Sequence, residues 1–101
     1  VTARITQAEK GVVSLEGEID FTTAMTLREA LQHQVKTLSG DLTLDMSGVT
    51  RANSVALSLL LFVARELGTG RSLRVRAMPV GLQSIARVCE LDDWLEALAV
   101  N

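Results

Sequence analysis

Tyrosine is absent from this sequence, and histidine, cysteine, tryptophan and proline each occur once, beside two phenylalanines. Each shortage removes a class of chemistry. His33 and Cys89 alone cannot build a four-ligand zinc site, and neither an HExxH nor a CxxC spacing occurs. One cysteine permits no intrachain disulfide and fits a reducing compartment. Twelve acidic residues face ten Lys and Arg, for a formal charge of −2 without a basic cluster, which argues against nucleic acid. The longest apolar run, Leu59 to Ala64, has six residues, far below the roughly 20 that span a bilayer. Neither a secretory signal nor a direct membrane insertion is expected. The chain opens on Val1 rather than Met, which suggests a removed initiator or short leader. No phosphate-cradling GxxxxGK[ST] loop is present. Asp45 lacks a second acid or a histidine at a defined spacing, so hydrogen bonding in a turn or loop suits it better than catalysis. No catalytic residue, metal or cofactor is expected.

What the sequence does have is apolar content, 48% over 101 residues. No linker, charge run or repeat divides it, so one soluble domain over residues 1–101 is expected, burying roughly two thirds of its unfolded surface. Ala3 to Gln7 and Val12 to Glu16 read as strands joined by a Lys10-Gly11 turn. The period then changes. Ala24, Leu27, Leu31, Val35 and Leu38 recur at helical spacing, predicting a helix over Thr23 to Leu38 capped by Asp20, Thr22 or Thr23. Leu42 to Met46 reads as a strand, Ser47 to Asn53 as a polar loop, and Ser54 to Leu67 as a second helix closed by Gly68 and Gly70. Leu73 to Met78 is the next strand. Pro79 then opens a third helix with Leu82, Ile85, Ala86 and Cys89 inside. Asp93 and Glu96 resemble a capping box for a last helix carrying Trp94, Leu95 and Leu98. His33 falls on the solvated side of the first helix. The order ββαβαβαα predicts an α/β fold: a small mixed sheet of about four strands, covered by helices mainly on one face.

The second helix carries the strongest functional signal. Ala56, Leu59, Leu60, Val63 and Leu67 form its sheet-facing stripe. Ser54, Ser58, Leu61, Phe62 and Arg65 share the opposite side, mixing small hydroxyls with two large apolar groups, whereas the first helix presents Arg28, Glu29, Gln32 and Lys36. Either Leu61 and Phe62 pack beneath a neighbouring helix, or they belong to a partner-docking surface. Ser54 likewise has two readings. As an N-cap its hydroxyl would contribute about 1 kcal/mol; as a phosphoacceptor it would place about two negative charges at the helix start.

The stretch Leu42-Thr43-Leu44-Asp45-Met46-Ser47 through Asn53-Ser54 to Leu61 resembles the signature of STAS domains, the sulfate-transporter and anti-sigma-antagonist family. Gly17-Glu18-Ile19-Asp20 is similar to that family's Gly-Glu-Leu-Asp element. The resemblance spans essentially the whole chain in order of elements. It implies a non-catalytic module that binds a partner through the start of the second helix, at Asn53, Ser54, Ser58, Leu61, Phe62 and Arg65. Two branches fit. One is the small cytoplasmic subunit that docks on the ATPase of a lipid-asymmetry ABC transporter, peripheral to the inner membrane. The other is the anti-sigma factor antagonist, switched by a serine kinase at the position of Ser54. Asn53 replaces the antagonists' usual Asp, and Val55-Ala56 replaces their Ser-Gly, which favours the transporter branch. Ala in place of Gly also strengthens the helix by about 1 kcal/mol.

Overall fold

A computed structural model describes residues 3–100 of the chain. Its elements are β1 (Ala3–Glu9), β2 (Val12–Ile19), α1 (Phe21–Thr37), β3 (Leu42–Ala52), α2 (Ser54–Leu67), β4 (Leu73–Arg76), α3 (Val80–Val88), α4 (Asp92–Leu98) and β5 (Ala99–Val100). The five strands lie side by side in chain order. β1 and β2 form an antiparallel hairpin through Lys10-Gly11, where Gly11 takes a φ of 80°. Every later neighbour is parallel. Right-handed crossovers between parallel strands laid down in one direction put all the helices on the same face. Burial agrees: in β4 Leu73 and Val75 are buried while Arg74 and Arg76 are exposed, and in β3 Leu42, Leu44 and Met46 point inward.

The expected helix stripes are realised. Leu27, Leu31 and Val35 of α1, and Ala56, Leu59, Leu60, Val63 and Leu67 of α2, join the strand side chains in one core cluster. Asp20 caps α1: its carboxylate accepts from the Thr22 and Thr23 amides, and the Thr23 hydroxyl accepts from the Asp20 amide. Arg71 holds the other end, donating from Nη1 to the Val35 and Leu38 carbonyls at 3.1 and 2.7 Å.

Five expectations need correction. A fifth strand exists, but two residues are too few to show a period. Ser47 to Ala52 is strand rather than loop, because pairing with β2 supplies the backbone partners that its polar composition does not advertise. Cys89 is exposed, since α3 ends at Val88 and the helical wheel stops applying there. The Asp93–Glu96 capping box does not form; Leu91 occupies the cap position without a side-chain bond, leaving Asp92 and Asp93 in the first turn of α4. Ser54, finally, is not the cap of α2, because the residue before it takes that position.

Candidate functional site

β3 delivers the start of α2. It runs parallel to β2, yet three β3 steps from Asp45 to Gly48 match two β2 steps from Ser14 to Glu16, and a second extra residue falls between Val49 and Arg51. Such bulges bend a strand and re-aim the chain beyond them. The Asp45 carboxylate stabilises the first one by accepting the Ser47 amide at 2.9 Å. That bond, reinforced by the Ser47 side chain and Arg76 at 3.9 Å, holds the Asp45 carboxyl below its ordinary value. Asp45 thus has a hydrogen-bonding role, as its lack of a catalytic partner suggested. A Cβ at Gly48 would sit 2.8 Å from Glu16 Cγ, so a larger residue there would have to displace the Glu16 side chain.

Asn53, not Ser54, caps α2. Its side chain accepts the Val55 amide at 2.9 Å and its carbonyl accepts the Ala56 amide at 2.9 Å. Ser54 is the first helical residue and is exposed, so its hydroxyl is not committed to capping. Beside it a polar cleft of about 190 Å³ is lined by Glu18, Asp20, Arg51 and Asn53 with Ile19 and Ala52. Arg51 and Glu18 pair across it at 3.7 Å. The Asp20 carboxyl is held below its ordinary value, first by the Thr22 hydroxyl and then by the Thr22 and Thr23 amides.

Ser58, Leu61, Phe62 and Arg65 come together along one side of an open groove of about 390 Å³ between α1 and α2. Ser58 and Arg65 are exposed; Leu61 and Phe62 are half-buried. Phe62 packs against the core's edge and also lines the groove. The opposite wall is Ala24, Met25 and Arg28 of α1, with Val55 and Leu59 below. Arg28 places its guanidinium 4.5 Å from the Phe62 ring centroid, a cation–π contact. Sequence reasoning assigned Arg28 to a solvated face and missed Met25, which is 62% exposed. The only signal was a methionine next to the Ala24 stripe. Phe21, at the start of α1, is 80% exposed. Ser54 lies at the head of this face, not in the groove lining. Among the described residues no cluster of His, Cys, Asp and Glu could hold a metal ion, and no helix is long and apolar enough to cross a membrane.

A one-faced sheet in sequential strand order, with a helix launched from a bulged parallel strand, is the STAS architecture. The family described as "Mlab, STAS domain" matches residues 3–99, and the chain belongs to it. Members of this family are typically non-catalytic binding modules. An anti-sigma factor antagonist from Mycobacterium paratuberculosis is 29% identical, with a TM-score of 0.74, covering 92% of this chain and 80% of that one. A chain of the Acinetobacter MlaFEDB complex in an ATP-bound conformation has a TM-score of 0.75 at 24% identity, covering 87% and 94% respectively. The phosphorylated Bacillus cell fate determinant SpoIIAA has the same fold at 12% identity, with a TM-score of 0.71 and coverage of 97% and 88%. No curated protein is similar enough in sequence to match.

Proposed function

We propose that this protein is a non-catalytic cytoplasmic subunit that docks through the start and outer face of α2 on the ATP-binding subunit of an ABC phospholipid-transport complex, supporting its assembly or activity. It would sit at the inner membrane as a peripheral component serving outer-membrane lipid asymmetry. The observation that carries this reading is the family match over residues 3–99. The reading is supported by the mix of exposed Ser54 and Ser58 with half-buried Leu61 and Phe62 on that face, a composition compatible with a non-obligate interface. Co-purification of an ATP-binding subunit with the tagged protein is expected, and Phe62→Asp or Ser54→Arg should abolish it. Full recovery with both variants folded would sink the proposal.

A second reading, an anti-sigma factor antagonist phosphorylated on Ser54 by a partner kinase, is favoured by the uncommitted, exposed hydroxyl at the start of α2. The flanking cleft weakens it, since Glu18 and Asp20 oppose added negative charge with only Arg51 to offset them. Intact mass after incubation with kinase and ATP separates the two: one added phosphate, lost in Ser54→Ala, belongs to the antagonist alone.

A further inference from the structure

The α1–α2 groove has a charge character that its apolar lining does not require. Two cations, Arg28 and Arg65, are the only charged side chains along it. Among the described residues neither takes part in an ion pair; the three pairs are Arg4–Glu16, Arg51–Glu18 and Arg76–Asp45. The nearest carboxylates in sequence, Glu29 and Glu66, are outside the lining, and Glu66 accepts from Gln32 Nε2 at 3.4 Å. The chain as a whole is acidic, at −2. Apart from Ser58, the rest of the lining is apolar and includes Met25, Leu61 and Phe62.

The groove's walls are helix interiors, whose backbone groups are already paired within each helix. An extended peptide laid there would find no strand edge to pair with, and its wall-facing amides would give up water without a backbone partner. A helix avoids that cost, because its backbone is satisfied internally. We infer that this groove holds an acidic amphipathic helix of a protein partner, its apolar residues against Met25, Leu61 and Phe62 and its carboxylates against Arg28 and Arg65. This rests on the reading of the outer face of α2 as a docking surface, and it adds the chemistry of the partner segment that docks. A protein helix is favoured over an anionic membrane because the lining is concave and the chain's net charge is negative.

The test is titration of the isotope-labelled full chain, followed by backbone amide shifts, with a synthetic peptide of about 14 residues, or four helical turns. Leucines at i, i+3, i+4 and i+7 are flanked by glutamates. Its lysine counterpart and phosphatidylglycerol vesicles are the controls. Shifts centred on Met25, Arg28, Phe62 and Arg65 are expected with the glutamate peptide only. The Arg28→Glu/Arg65→Glu variant should bind it at least about fivefold more weakly, while Arg28→Lys/Arg65→Lys retains most of the affinity. Both arginines are exposed, and the variant's own spectrum reports its fold. Equal binding of the lysine peptide, shifts outside the groove, no binding, or groove shifts with vesicles alone would each overturn the inference. Failure here stays distinct from failure of the docking reading. An ATP-binding subunit lost with Phe62→Asp but kept with the charge-reversed pair removes only the acidic helix. A glutamate peptide in the groove with no ATP-binding subunit recovered removes only the transporter partner.

Discussion

Among the described residues, Glu90 is one of two non-glycine residues with positive φ, at 60°. It follows the cap of α3, where the Leu91 amide reaches back to the Ala86 carbonyl at 2.7 Å and the Glu90 amide to Arg87 at 3.1 Å. This is the Schellman arrangement, which favours glycine at the left-handed position. Glu90→Gly is expected to raise stability by about 1 kcal/mol, read as a higher urea midpoint with an unchanged slope. Single residues also show where the sequence was ambiguous. Asn53 and Ser54 are both good cap formers, and nothing local decides between them. The decision comes from the length of β3, whose pairing with β2 carries strand geometry through Ala52. Cys89 looked internal because the helical period was continued one residue past the last helical turn.

Among the elements, α2 divides its two faces sharply. Leu60 is 1% exposed and lies in the core, while Ser58 on the opposite side is exposed. Leu60→Ala is expected to cost about 2–5 kcal/mol, combining lost transfer energy and a residual cavity. Ser58→Ala should stay within about 0.5 kcal/mol of wild type in the same denaturation assay. The helices were legible because their stripes repeat over several turns. The extension of β3 was not, because Ser47, Gly48, Thr50 and Arg51 carry no apolar alternation and are strand only by virtue of their neighbour. The α2 side of the groove was legible for the same reason as the core stripe. Its α1 wall was hidden, since a wheel drawn on one helix does not show which residue of another faces it.

Over the whole molecule, two carboxyl groups, Asp20 and Asp45, are held below the ordinary value of 3.8 by hydrogen bonds. Each contributes stability that is fully present above the unfolded value and lost as pH falls through the lower folded one. The urea midpoint is therefore expected to hold near neutrality and to decline below about pH 4. The decline should be shallower in an Asp20→Asn/Asp45→Asn variant, which has given up those contributions at every pH. The sequential strand order has a kinetic consequence as well. Each strand pairs with its predecessor in the chain, from the β1–β2 hairpin to β5 against β4. No strand has to wait for a later segment to be made before it can dock, but each parallel pairing, such as Val12 with Thr43 or Leu42 with Leu73, closes a whole crossover and is expected to form more slowly than the hairpin. A chain leaving the ribosome can enlarge this sheet one strand at a time, and among the described residues the smallest addition is Ala99–Val100.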